Sequence, residues 1–232
     1  MYRVVTLNTI APRGLGVLQD AGYDLAESLE AGPADGILLR SADLHGRPLP
    51  EGLRAIARAG AGVNNIPVED CTRHGIVVFN TPGANANSVK ELVIGALLLS
   101  SRKIVEGVLW TRGLPAEGLQ QAVEKGKKQF AGPEIATKRL GVIGLGAIGV
   151  MVANAAYALD MEVTGFDPYI SVQSAWGLHH GVVRADSVDS LLASSDYITL
   201  HVPLNGNTRG MINHDAIARM KDGVRILNFA RA

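Results

Sequence analysis

"LGVIGLGAIG", residues 140–149, is the stretch that decides the fold. A continuous apolar strand, 140–144, runs straight into glycines at 144, 146 and 149, and a helical pattern follows over 147–160. The spacing is G-x-G-x-x-G, and each glycine has a mechanical reason. Gly144 allows the tight turn, Gly146 lets backbone approach a pyrophosphate, and Gly149 lets the helix lie close to the strand. Phosphates then sit at a helix N-terminus, where free N–H groups and the helix dipole favour negative charge.

Context strengthens a triplet that is weak by itself. The next strand, "EVTGFD" at 162–167, ends in Asp167, whose carboxylate can accept hydrogen bonds from both ribose hydroxyls of an adenosine. The same charge repels a 2′-phosphate, so the expected cofactor is NAD rather than NADP. Ala147 follows Gly146 and has no side chain to reach the pyrophosphate, so the grip rests on the backbone of Ala147, Ile148 and Gly149.

Working outward, short apolar strands alternate with helical patterns in both halves, which predicts α/β domains with parallel sheets covered by helices on both faces. In the second half the strands are expected at 140–144, 162–167, 181–184, 197–202 and 224–230, with helices at 147–160, 187–193 and 214–220. In the first half the strands are expected at 3–7, 36–41, 53–59 and 76–81, with helices at 12–20 and 67–74. The boundary is placed at 1–87 and 88–232. There "NSVKELVIGALLLSSRKIVEGVLW" reads as one long helix, capped by Ser88 with Glu91 three residues on, and apolar round most of its circumference. "EKGKKQFAGPEIATKR", 124–139, reads as an exposed connection.

Composition narrows the partners. Twenty-two basic residues balance 22 acidic ones, so no field of one sign draws nucleic acid or membrane, and a small molecule is the default ligand. The longest apolar stretch, 92–99, is far short of a membrane span, and the start lacks a secretion signal. The single cysteine, Cys71, excludes an internal disulfide and a cysteine-based metal cluster; no metal site is expected. A cytoplasmic protein is the resulting expectation.

Five segments together resemble one family, the D-isomer-specific 2-hydroxyacid dehydrogenases, and most closely its 3-phosphoglycerate dehydrogenase branch. They are "RAGAGVNNIPVEDCTRHGIVVFNTPGANANSVKEL" (58–92), "FAGPEIATKRLGVIGLGAIG" (130–149), "GFDPY" (165–169), "HVPLNGNTRGMI" (201–212) and "ILNFARA" (226–232). The resemblance implies a flavodoxin-like substrate domain, then a Rossmann-type NAD domain, with substrate in the cleft between them and a homodimer formed through the NAD domain. It implies NAD-dependent oxidation of D-3-phosphoglycerate to 3-phosphohydroxypyruvate at the entry to serine synthesis.

The resemblance also carries site residues. Arg40 and Ser41 match positions beside the substrate, and the backbone of Ala61, Gly62 and Val63 matches a carboxylate-gripping turn. Glycine-flanked amides at a strand end are independently a fair anion nest. Asn87 matches a position close to substrate and nicotinamide, while Ser88 has capping and functional readings side by side. His201, Pro203, Thr208 and Ala230 match positions along the cofactor, His201 in a structural role rather than as acid or base. Arg40, Arg58 and Arg102 are candidates to surround a substrate phosphate. Two departures stand out: Asn64 where most of the family has Asp, and Ala147 where many relatives have Arg.

Arg231 matches the family's catalytic arginine, whose planar fork can grip carboxylate and carbonyl oxygens. In the family the base is a histidine oriented by a glutamate, both later in the chain than this arginine. His45, His74, His179, His180, His201 and His214 all lie before it, none in the expected "P-H" context, so a truncated and poorly active form is expected. Alternatives are another D-2-hydroxyacid dehydrogenase, of glyoxylate/hydroxypyruvate reductase or D-lactate dehydrogenase type, or a non-catalytic NAD-binding corepressor-like module.

Overall fold

The computed structural model describes residues 1–230. The chain forms two compact units, Met1–Asn85 and a second from Ala86 onward.

The first unit contains β1 (Arg3–Leu7), α1 (Pro12–Asp20), β2 (Asp24–Ala26), a 3-10 turn (Leu29–Ala31), β3 (Gly36–Leu39), β4 (Ala55–Arg58), α2 (Val68–Arg73) and β5 (Val77–Phe79). All pairs are parallel, in the order β2-β1-β3-β4-β5, the flavodoxin-like arrangement. Strand β2 has no signature in the sequence, because three residues beginning with Asp24 carry no apolar run. Alternation sorts the side chains: Val5, Ile37, Leu39 and Ile56 are buried with Cys71 of α2. The opposite face, under α1, carries Val4, Leu38, Ala55 and Ala57 around a shallow groove of about 310 Å³. Register puts Val77 and Phe79 on that same face, opposite Ala55 and Ala57, and they are 52% and 57% exposed.

The second unit begins with α3 (Ala86–Arg102), α4 (Ile104–Arg112), α5 (Leu119–Gly126) and a 3-10 turn (Lys127–Phe130). The sheet region follows: β6 (Arg139–Ile143), α6 (Ala147–Tyr157), β7 (Glu162–Phe166), α7 (Val172–Gly177), β8 (Val183–Arg184), α8 (Val188–Ser194), β9 (Tyr197–Leu200), α9 (His214–Ala218) and β10 (Arg225–Asn228). Strand order is β10-β9-β6-β7-β8, all parallel, as in the dinucleotide-binding half of doubly wound folds. Central strands β6 and β9 are buried on both faces, Leu140–Ile143 and Tyr197–Thr199 without interruption. Each fully buried Leu or Ile of this kind contributes roughly 1.5–3 kcal/mol relative to exposure.

Three sequence expectations need correction. The long helix is two helices: Lys103 takes a left-handed conformation (φ 47°) and separates α3 from α4. Its start is also earlier. With Ala86 as the first helical residue, Ser88 lies inside the first turn and cannot cap it, and Glu91 instead accepts a 2.7 Å hydrogen bond from Asn87 Nδ2. Its buried residues are Ala86, Val93, Leu97 and Ser101, and Val93 and Leu97 join the core with α6. The stretch read as an exposed connection is helical up to Phe130, where Phe130 meets Trp110 at 5.1 Å between ring centroids.

A polar tie joins α3 to the sheet. Ser101 Oγ donates to the Leu97 carbonyl at 2.8 Å, so the Tyr197 hydroxyl donates to Ser101 Oγ at 2.6 Å. Arg225 lays its guanidinium over the Tyr197 ring, 5.2 Å from the centroid, and donates from Nε to the Ser100 carbonyl at 3.1 Å.

Candidate functional site

The glycine cradle lies where the strand order reverses, between β6 and β9. Gly144 has φ +93°, and its N–H donates to the Phe166 carbonyl at 2.9 Å. A Cβ on Gly144 would stand 2.8 Å from the His201 carbonyl oxygen, and one on Gly149 would stand 1.9 Å from the Gly144 carbonyl oxygen. A Cβ on Gly146 would meet nothing within 4 Å. Two glycines are therefore required by the protein's own backbone, and the middle one opens onto free space. That combination fits a pyrophosphate passing over Gly146. Helix α6 starts at Ala147 with no side-chain cap, which leaves its first-turn N–H groups for a ligand.

Asp167 is held at the end of β7. Its Oδ2 accepts from the Leu145 N–H at 2.8 Å and its Oδ1 from the Tyr169 N–H at 2.9 Å. Each oxygen keeps a lone pair for a hydroxyl donor. On the other side of the cradle, Leu200, Val202, Pro203, Thr208, Asn228 and Ala230 line a cavity of about 140 Å³. Thr208 organises that rim, accepting from the Asn205 N–H at 2.9 Å and donating to the Pro203 carbonyl. The Ala230 N–H donates to Asn228 Oδ1 at 3.0 Å. His201 is half-buried, with Nε2 3.0 Å from Thr199 Oγ1 and Nδ1 without a partner among the described residues. Burial pushes its pKa down to about 4, so the ring is neutral near pH 7.

At the carboxyl ends of the first sheet, side chains clamp backbone. Asn8, itself left-handed at φ 71°, accepts through Oδ1 from the N–H groups of Ser41 (2.9 Å) and Ala42 (2.6 Å). The Ser41 N–H is thus engaged within the protein, while the Arg40 and Ser41 residues themselves are exposed. The exposed Asn64 contributes Oδ1 beside Gly62.

Arg58, one of the three arginines proposed to surround a phosphate, also braces backbone. It is buried, and it donates to the carbonyls of Arg40 (Nε, 3.0 Å) and Gly62. Arg102 belongs to the second unit. Asn87 is also in the second unit, and its amide is shared between Glu91 and Lys90 Nζ, both at 2.7 Å, along its own helix. Arg231 lies outside the described residues. Asn8, Asn80 and the bracing role of Arg58 escaped the sequence reading. A lone Asn directly after a strand, able to adopt a left-handed conformation, was the available signal for Asn8.

A doubly wound sheet with a glycine cradle at its switch point and a carboxylate at the end of the next strand defines a dinucleotide-binding α/β protein. Residues 95–232 match the D-isomer specific 2-hydroxyacid dehydrogenase, NAD binding domain. The chain belongs to that family, and the matched domain is an NAD-binding one. It is 40% identical over 244 residues to the D-3-phosphoglycerate dehydrogenase of Methanocaldococcus jannaschii, which covers all of this chain and 44% of that protein. It is 41% identical over 179 residues to the hydroxypyruvate reductase of Thermotoga maritima, over 77% of this chain and 54% of that protein. The chain thus spans about half the length, or less, of these curated relatives. A cofactor (NAD+) bound 3-phosphoglycerate dehydrogenase from Entamoeba histolytica superposes with a TM-score of 0.74 at 28% identity, over 99% of this chain and 72% of that one.

Proposed function

We propose that the protein takes part in NAD-dependent oxidation of a D-2-hydroxy acid, with D-3-phosphoglycerate as substrate and 3-phosphohydroxypyruvate as product. The observation that carries the reading is the cradle: Gly144 and Gly149 allow no side chain, Gly146 leaves space, and Asp167 is fixed by two backbone N–H groups. Bound NAD supplies a hydride acceptor at its nicotinamide. Around it, the first-turn N–H groups of α6 take the pyrophosphate, Asp167 takes the ribose hydroxyls, and the Pro203–Thr208 rim bounds the cavity near β9.

For the substrate, the amides of Ala61, Gly62 and Val63 are assigned to the carboxylate, Arg40 and Ser41 to its surroundings, Asn87 to the nicotinamide side, and Arg231 to the carboxylate and the reacting oxygen. The choice of phosphoglycerate leans on the Methanocaldococcus relative. The Thermotoga relative favours a second reading, hydroxypyruvate reduction. Exposed Leu92, Leu99, Val105 and Leu109 on α3 and α4 form an apolar surface suited to a second copy of the chain.

His201 is a poor general base, since a pKa of about 4 lies far from the working range. The chain is expected to bind NADH through the cradle. NADH fluorescence titration and assays with 3-phosphoglycerate and hydroxypyruvate test both readings. Absence of NADH binding would sink them together.

A further inference from the structure

The turn after β4 is polarised. Its carbonyls are engaged from within the first unit: Gly60 by the Thr81 N–H at 3.0 Å, Ala61 by Asn80 Nδ2 at 2.6 Å, and Gly62 by the Arg58 guanidinium. The N–H groups of Ala61, Gly62 and Val63 donate to no acceptor among the described residues. Arg58 is only 7% exposed, and its Nε reaches the Arg40 carbonyl at 3.0 Å, so one guanidinium ties the ends of β3 and β4 together. Gly62 is shaped by this contact, because a Cβ there would lie 2.9 Å from Arg58 Nη1. Serving two carbonyls in different directions suits a planar fork of donors and not an ammonium.

We infer that Arg58 is a positioning residue for the carboxylate subsite of a 2-hydroxy acid. By holding the carbonyls of Arg40 and Gly62 to itself, it leaves the three amides as a preformed nest for an anion. Asn80 does the same for the Ala61 carbonyl. The inference rests on the substrate reading above, and it assigns Arg58 no contact with a substrate phosphate.

The two roles separate by comparing acids with and without a phosphate. In the ¹⁵N-labelled, NADH-loaded chain, D-glycerate and 3-phosphoglycerate are each titrated while the amides of Ala61, Gly62 and Val63 are followed. Arg58→Met is expected to weaken both acids by the same factor, about tenfold, with Arg58→Lys no better, because a lost charge-assisted bond frees the turn. Weakening of 3-phosphoglycerate alone would make Arg58 a phosphate ligand and overturn the proposal. Asn80→Ala, at an exposed position that spares the fold, is expected to weaken both acids about threefold, and unchanged affinity for both would overturn the account as well.

If the wild type binds neither acid, the substrate reading falls on its own. Hydrogen exchange at the same amides then decides the positioning role: faster exchange in Arg58→Met, or in Asn80→Ala if the first variant does not fold, supports it, and unchanged exchange overturns it.

Discussion

The two sheets share a parallel, helix-connected design but are finished differently. In the second, β6 and β9 are buried on both faces, so their sequences are continuous apolar runs. In the first, β3 and β4 alternate between buried and half-buried residues, and the α1 face ends in exposed Val77 and Phe79. The functional parts differ in the same sense. The glycine cradle is made of backbone approaching backbone, whereas the turns at the carboxyl ends of the first sheet are held by the side chains of Asn8, Arg58 and Asn80. A site built from backbone tolerates almost no added atoms, while one built from side chains can be loosened bond by bond.

The sharpest way to break this contrast is Gly149→Ala. Its methyl would meet the Gly144 carbonyl oxygen, which belongs to the cradle turn and cannot swing aside. A loss of about 3 kcal/mol in urea unfolding is expected, with NADH binding abolished. Gly146→Ala is the control: stability stays at wild type and only NADH affinity falls. Equal stabilities for the two variants would refute the division of labour among the glycines.

Next in size is a pH effect confined to the second unit. The folded pKa of His201, about 4, lies below the ordinary 6.5, so the unfolded chain binds more protons between these values. Stability is therefore full above pH 6.5 and declines as pH drops towards 4, by about 3 kcal/mol from this residue. Urea unfolding at pH 7 and pH 4.5 should show a smaller decline for His201→Gln; an identical decline would remove His201 as the cause. In the first unit the lowered carboxylates differ. Asp43 is held down chiefly by the His45 backbone N–H and Asp70 by the Arg73 side chain; both are solvent-exposed, so little pH dependence of folding is expected from them.

Smaller still is Tyr197→Phe. It removes the hydrogen bond to Ser101 while leaving the Ser101 donation to Leu97, at an expected cost of about 1 kcal/mol in unfolding free energy. The smallest effect belongs to the exposed face: Phe79→Thr should change stability by less than about 0.5 kcal/mol while lowering the binding of a hydrophobic dye. A large destabilisation would show that this face is packed rather than open.

Legibility followed the same division. Gly144, Gly146, Gly149 and Asp167 could be read in the sequence because backbone geometry dictates residue type and spacing there. So could α1, started by Pro12. The bracing role of Arg58 could not be read, because a buried guanidinium serving backbone carbonyls has the same one-letter appearance as one awaiting a phosphate. The break at Lys103 was invisible, since nothing in the apolar pattern announces a left-handed lysine. Strand β2 exists through pairing with β1 rather than through its own residues.

The tie among Ser101, Tyr197 and Arg225 also orders events in time. The Arg225–Ser100 bond spans 125 residues, and closing a loop of that length costs on the order of 4 kcal/mol of chain entropy before the contact contributes anything. During synthesis α3 emerges long before β10, and the strands of the first unit, joined by much shorter connections, can pair while it waits. The second unit is thus the later to mature, and β10 docks against one of its earliest helices.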